Sequence, residues 1–570
     1  MKRLYKFILA TGLIAIPAAA SAQNMYDAIN LSRNVYFGTA RSMALSNAVT
    51  ALGGDLGTVG INPAGSAVAS YGQLTITPGL MISSVASQYS AGNQFNGTTS
   101  YMRKAVMPNW GVSANFSTGR SRGLKSFVVA VTSNYTNQYL NYFNIYGTNS
   151  QTSKMAEFAA AAEGRNESVL DNYNSFESSN VPWDILTAYQ GGMFGSYGQD
   201  GKYVAISEAL RGDGVHFVPG RLAQNSAVQK NGSKKDFVIN FGANFSDTWY
   251  FGFNLGMPNA RYDCTESFYE SAVDPDQFLL TFTKPDGYDY DTYFTSSNFT
   301  YKYVSDVEGV YGKFGVIARP FDFLRFGLTF QTPTLYTVTE SWQYAASTSF
   351  TDSYFNLSAT SPTGKYSYSL VSPYSLGMGM ALTVGDLGFV SVDYELMDYS
   401  VMRFSEINRD FMAVDSFRDL NETNRYFAGV SNNLRIGMEL RLLPGVSVRA
   451  GYEYLSSPEK YWVNNLTETV YADDFLADYD LYNSGILQLV GSKYVDDGMH
   501  SASFGLGYSS AGSFFLDLAL KFTKYQDSIY YPYYDYPNYD SDGVRVDVPS
   551  PEIRNSRNQT CAVLTFGWRF

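Results

Sequence analysis

The chain has 570 residues; 16% are aromatic (47 Tyr, 39 Phe, 6 Trp), 16% are charged and 50 are Gly. Soluble domains carry roughly 25% charged residues, so this is no ordinary cytosolic α/β enzyme, and a mean hydropathy of −0.18 excludes a bundle of membrane helices. A net charge of −12 disfavours nucleic acid as a partner.

Residues 1–22 read as a cleaved secretory leader. Lys2, Arg3 and Lys6 precede the apolar run Phe7 to Ala19, and Ala20-Ser21-Ala22 is a small-residue cleavage site with no lipoprotein Cys beside it. No later run of 18 apolar residues follows, so a chain returning to a membrane must cross it as strands.

Residues 23–70 do not alternate in polarity. Met43 to Leu52 predicts a short helix capped by Thr39 or Ser42 and ended by Gly53-Gly54, after which Leu56 to Ile61 leads into Asn62-Pro63-Ala64-Gly65. A segment of about 45 residues forms no core of its own. A periplasmic tail and a plug inside a barrel are both open to it, and its small residues and few charges favour the plug.

From residue 71 onward the chain alternates with period two. In 434–442, Leu434, Ile436, Met438, Leu440 and Leu442 interleave with Arg435, Gly437, Glu439 and Arg441; 446–454, 237–245, 249–257, 324–331 and 514–522 behave alike. One greasy face and one polar, Gly-bearing face suit a wall between lipid and a lumen. Strands are expected near 71–86, 105–118, 124–142, 235–246, 248–264, 308–319, 323–342, 365–384, 388–403, 432–443, 445–457, 500–509, 513–527 and 559–570. Long excursions (87–104, 143–234, 265–307, 343–364, 404–431, 458–499, 528–558) alternate strictly with short turns. The expected fold is all-β: a transmembrane 14-stranded antiparallel β-barrel, residues 71–570, with an N-terminal hatch of short helices, residues 23–70, in the lumen. Its largest loop is 143–234, and a monomer is expected. The final strand ends on Phe570, resembling the signal read by barrel-assembly machinery, which makes that machinery and outer-membrane lipid expected partners.

Two Cys and two His are too few for a disulfide framework or a zinc site; a single Cys264–Cys561 bridge stays open. Neither His216 nor His500 sits in a catalytic motif, so no catalytic residue, metal or cofactor is expected. Met155 and Phe158, with Trp183, Ile185, Leu186 and Tyr189, sit in helix-like pieces of the 143–234 loop; an exposed groove capturing an amphiphile and a self-packed loop are both open. The inward cations Arg325, Arg441 and Arg449, with Arg319 and Arg569, could anchor a carboxylate or form ion pairs with Glu439, Glu453 and a hatch residue such as Asp55. The acidic, Tyr-rich runs 286–291 and 531–540 are expected to be solvated; Asp540, Asp542 and Gly543 lack the Glu of a calcium loop.

Gly38-Thr39-Ala40, the Ala-rich helix, Gly53-Gly54-Asp55 and Asn62-Pro63-Ala64-Gly65 resemble the hatch of the FadL/TodX family of outer-membrane channels for hydrophobic compounds. The likeness covers residues 36–68 and otherwise the strand number and terminal Phe. It implies passive uptake of long-chain fatty acids or similar hydrophobic small molecules across the outer membrane of a Gram-negative bacterium. It also implies a hatch held by Gly38, Asn62, Pro63, Ala64 and Gly65, with Pro63 fixing φ. In that family a kink in the third strand opens the wall sideways; Phe127 to Tyr135 here holds no Gly or Pro, so no gap is visible. The alternative is a porin-like or surface-binding barrel without specific lipid transport.

Overall fold

The computed structural model describes residues 25–91, 94–197, 201–210, 216–283, 287–407, 417–458, 463–465, 468–469, 491–494, 498–539, 545–548 and 550–570. The leader, Asp286, most of 458–499, and Asp540, Asp542 and Gly543 lie outside the described residues.

The wall is a closed antiparallel barrel of 14 staves. In chain order they are β1 (Gln73–Ala91), β2 (Gln94–Ser117), β3 (Leu124–Gln138) continued by β4 (Asn141–Asn149), β5 (Leu222–Phe245), β6 (Trp249–Ala272) and β7 (Asp289–Phe321). Next come β8 (Leu324–Gln331) continued by β9 (Leu335–Phe350), and β10 (Gly364–Val371) continued by β11 (Ser375–Val384). The last six are β12 (Gly388–Asp398), β13 (Val430–Leu443), β14 (Val446–Leu455), β15 (Met499–Ser509), β16 (Phe514–Tyr525) and β17 (Glu552–Arg569). β17 returns to β1 from Gln73↔Arg569 to Ser90↔Glu552, which closes the cylinder.

Side chains are placed inside out relative to a soluble protein. On β13, Leu434, Ile436, Met438 and Leu440 are exposed on the outside, while Asn433, Arg435 and Glu439 are buried within. That is the arrangement alternation demands when the outer solvent is apolar. The short-turn end is tightly closed: Leu443 pairs with Val446 around Pro444-Gly445, and Gly445 takes φ +79, a conformation glycine adopts without Cβ strain.

The staves reach further than the polarity pattern implies. The expected loop 87–104 is largely ladder, since β1 and β2 pair up to Ala91↔Gln94. β6 continues to Ala272 and β7 begins at Asp289, so 265–307 shrinks to a short connection, and the largest loop contracts to 150–221. These upper segments, such as Leu222 to Lys234 of β5, are polar on both faces. A strand with polar residues on both faces carries no period-two signal.

At the long-loop end, 150–221 folds into a cap built on helices α3 (Lys154–Ala162), α4 (Glu167–Leu170), α5 (Ser175–Ser178) and α6 (Trp183–Gln190). Ser153 caps α3 by accepting from Met155 N. The cap packs against the inward residues Phe268, Phe294, Phe299 and Phe350 of the upper wall. Tyr533 and Tyr536, expected to be solvated, are buried in the same core; the Tyr536 hydroxyl accepts from Ser153 N at 3.1 Å. Cys264 and Cys561 are free thiols.

Candidate functional site

Residues 25–70 lie inside the barrel. Helix α1 (Met25–Ser32) ends on Lys234 of β5, whose ammonium donates to the carbonyls of Leu31 (2.9 Å), Ser32 (3.2 Å) and Arg33 (2.6 Å) and to Asn34 Oδ1 (3.0 Å). A cation on the last carbonyls of a helix meets their partial negative charge. Val35 N and Phe37 N then donate to Thr136 O and Tyr135 O of β3.

The predicted helix 43–52 is instead α2 (Ala40–Ala44), capped by Thr39, which accepts from Ser42 N. It ends early because Ser46 and Asn47 turn to positive φ, 49° and 60°. Asn tolerates that region better than most residues, and the Asn47 amide holds it by donating to Tyr36 O at 2.8 Å.

Gly38, Asn62, Pro63, Ala64 and Gly65 are all buried. Asn62 Oδ1 accepts from Ala64 N at 3.0 Å, its amide donates to Thr50 O at 2.6 Å, and Pro63 opens the 3-10 turn Pro63–Val68. A missing N–H is harmless at that first position. Around these turns the wall offers glycine. A Cβ on Gly252 would lie 2.1 Å from the carbonyl carbon of Pro63, one on Gly327 2.1 Å from Thr50 O, and one on Gly505 2.4 Å from Ala44 Cβ. Gly242, Gly315, Gly437 and Gly451 are pressed in the same way. The plug therefore rests backbone-against-wall over most of the circumference.

Below these contacts, at the short-turn end between β13 and β1, lies a polar chamber of about 410 Å³, lined among others by Arg41, Asp55, Arg441, Arg449 and Arg569. Here the three cations singled out from the sequence part company. Arg449 Nε pairs with Glu439 at 2.7 Å and its Nη1 with Asp517, and Arg41 of the plug joins Glu439 at 3.2 Å. Arg325 donates to Leu52 O at 3.0 Å, and Arg441 is exposed on the rim. Arg449 and Arg325 thus make the ion-pair and plug contacts, whereas Arg441 makes neither among the described residues. Asp55 accepts from the Thr39 hydroxyl. Higher up, Glu453 pairs with Lys521 at 2.7 Å.

The loop residues differ from an exposed groove as well. Met155, Phe158, Ile185 and Leu186 are buried in the cap core, with Trp183 and Tyr189 half-buried beside them. Aromatic and aliphatic side chains this close to inward phenylalanines of the wall gain more by packing there than by facing water.

Between plug and cap lies a pocket that no sequence motif marked. Asn30 and Arg33 enter it from the plug, Gln138, Tyr139 and Asn141 from the junction of β3 and β4, Lys230 from β5, and Tyr525 and Arg557 from β16 and β17. Among the described residues its lining holds three cations, Arg33, Lys230 and Arg557, and no carboxylate. Gln138 is 3% exposed, yet neither atom of its amide has a hydrogen-bond partner. Arg557 lies over the Tyr525 ring at 3.9 Å, with Nε and one terminal nitrogen also unbonded. Buried polar groups are as a rule hydrogen-bonded, so these open donors and acceptors set the pocket apart from the rest of the wall.

Beside this pocket the wall is interrupted. β2 pairs with β3 only from Asn109↔Asn134 to Ser117↔Ser126. Above that point β4 pairs with β5 and not with β2. It leans inward, packing Phe143 and Ile145 with Val85, Tyr89, Tyr530 and Ile553. The two edges meet through side chains: Asn144 N donates to Ser100 Oγ at 3.1 Å, and Asn96 Nδ2 to Tyr146 O at 2.7 Å. The ladder of the wall is thus interrupted at β2 and β4, a feature that the third strand's sequence leaves open. Its sequence signal lies on the two preceding strands. Pro108 on β2, facing Pro78 of β1, sits in a bulge between Thr77↔Asn109 and Gly79↔Val106. Proline has no N–H to give a ladder and is confined to edges and bulges.

No family model and no curated protein matches this chain. Among solved structures it is similar to a Pseudomonas aeruginosa FadL homologue, with TM-score 0.46 and 10% identity over 95% of this chain and 100% of that one. It is similar also to the Ralstonia pickettii toluene transporter TbuX (0.42, 13%, 95% and 100%) and the Pseudomonas putida toluene transporter TodX (0.43, 12%, 95% and 100%). The chain's own residues, rather than these likenesses, carry the reading of what it does.

Proposed function

We propose that this protein is an outer-membrane channel of FadL/TodX type for passive uptake of hydrophobic compounds with an acidic end, long-chain fatty acids foremost. The observation that carries the reading is the pocket in which the Arg557 guanidinium and the amide of Gln138 are buried with open hydrogen-bonding groups, set beside the wall break. The pocket, about 60 Å³, has room for a carboxylate head group, which would receive charge-assisted hydrogen bonds there. A neutral hydrocarbon gains nothing from three cations.

The plug works as a hatch that blocks the axis, and its fit onto the glycine wall favours a ligand leaving sideways between β2 and β4 into the apolar phase. An apolar chain passing from the lumen into a bilayer withdraws its surface from water, so no energy source is needed. The long loops then face outward and the short turns the periplasm, as in other barrels of this kind. Cells lacking the protein are expected to take up labelled oleate more slowly than cells that have it, and Arg557→Gln to lower uptake of oleate but not of toluene. Equal oleate uptake with and without the protein would remove the reading. Rapid passage of small sugars through the purified barrel would favour a porin.

A further inference from the structure

The outer face of the barrel changes character abruptly along one line. Counting up from the short turns, β5 shows Phe245, Phe241, Ile239 and Phe237, then Lys235; β6 shows Trp249, Phe251, Leu255 and Met257, then Asn259 and Arg261; β7 shows Val316, Phe314 and Val310, then Glu308 and Asp306. On β2 the apolar run ends at Ala105 and Arg103 follows. In a bilayer this line is the level of the outer head groups.

Charge along the line is unevenly placed. On β6 and β7, Arg261 is matched by Asp263 and Asp306, each 3.2 Å away. On the β2–β5 sector, Arg103, Lys104 and Lys235 join no ion pair among the described residues. Lys104 reaches across the wall break, where its ammonium donates to Asn231 Oδ1 of β5 at 2.9 Å. Lys235, four residues along the same strand, is exposed and lies with its ammonium 5.3 Å over the Tyr135 ring. Lys235 is near enough to act on the Lys104 charge, and Asp263 of β6, opposite Asn231, offsets part of that repulsion. Like charges gathered at an apolar boundary repel, and an anion seated between them removes that cost.

We propose that Lys104 and Lys235, with Arg103 beside them, hold the phosphate of an outer-leaflet lipid at the lip of the wall break. This rests on the outer-membrane reading given above. The lipid's phosphate neutralises the cluster, its chains lie against Met107 and Phe237 below, and the bound head group stands where a ligand leaving between β2 and β4 meets the membrane.

The test uses the full chain purified in mild detergent, as wild type and as the triple variant Arg103→Gln, Lys104→Gln, Lys235→Gln. Heat-modifiable gel migration verifies that both are folded, and density-gradient fractionation of cells places both in a membrane. Native mass spectrometry then follows titration with a bis-phosphorylated glycolipid and with the same lipid after phosphatase treatment. The wild type is expected to bind the phosphorylated form at least about tenfold more tightly than the triple variant, with about 1 kcal/mol per basic residue near a lipid surface setting the scale. The dephosphorylated form is expected to bind both alike. Equal binding of the phosphorylated lipid by both proteins would overturn the proposal. So would equal competition by inorganic phosphate, which would make free phosphate the ligand. Loss of oleate binding in the variant with unchanged lipid binding would assign the lysines to the transported molecule and overturn it too. Recovery of the wild type outside the membrane fraction would instead bring down the outer-membrane reading itself.

Discussion

A Cβ on Gly252 would lie 2.1 Å from the carbonyl carbon of Pro63, and one on Gly315 2.0 Å from Asn62 Oδ1, whereas one on Gly312 would meet nothing nearer than 3.6 Å. Gly252→Val therefore has to displace plug backbone, and overpacking of this kind costs about 1–3 kcal/mol. Its heat-modifiable gel transition is expected several degrees below wild type, with Gly312→Ala unchanged; equal transitions would show the plug to be loosely held. At the ligand pocket the expected effect is chemical. A hydrogen bond to a charged group contributes about 1.5–3 kcal/mol. Arg557→Gln is accordingly expected to weaken oleate binding by roughly ten- to a hundredfold in a fluorescence displacement assay, while leaving an uncharged alkane unaffected.

Elements show where sequence reasoning succeeds and fails. The lower staves were legible because lipid outside and a polar lumen inside force alternation, as with Leu434 to Leu442. The upper staves were not, because the inward residues of segments such as Leu222 to Lys234, among them Gln224, Ser226 and Lys234, are polar although buried, and the outward ones are polar too. Helix α2 was misplaced because two residues with ordinary helix-compatible neighbours, Ser46 and Asn47, take positive φ under tertiary hydrogen bonds. The cap adds a pH dependence no motif announces. Burial of Glu157 on α3 pushes its carboxyl up to about 7, opposed by Lys154. Between its unfolded value near 4.3 and about 7 the folded cap binds more protons than the unfolded one, so its stability falls as pH rises through that window. Hydrogen exchange in 154–162 is expected to be faster at pH 8 than at pH 5.5 after correction for the intrinsic rate, and Glu157→Gln to abolish the difference. Equal protection at both pH values would contradict this.

At the scale of the whole molecule, cap and plug close the two mouths, and the ladder fails at one place along the wall. The plug motif and the stave number could be read from Asn62-Pro63-Ala64-Gly65 and from fourteen stretches of alternation. The ligand pocket could not, because Arg33, Gln138, Lys230 and Arg557 come together from four separate segments. The break leaves no mark on the third strand; Pro78 and Pro108, in the bulge between β1 and β2, are the signals of bulge or edge.

The sideways route is tested most directly by joining its two edges. Ser100 and Asn144, linked across the break by a 3.1 Å hydrogen bond, are replaced in the double variant Ser100→Cys, Asn144→Cys, and oleate uptake is followed in cells before and after a reducing agent. Formation of the cross-link is scored on the same samples by mass spectrometry. Uptake is expected to fall to the level of cells lacking the protein while the bridge is intact and to recover when it is reduced. Full uptake through a completely cross-linked barrel would contradict lateral release.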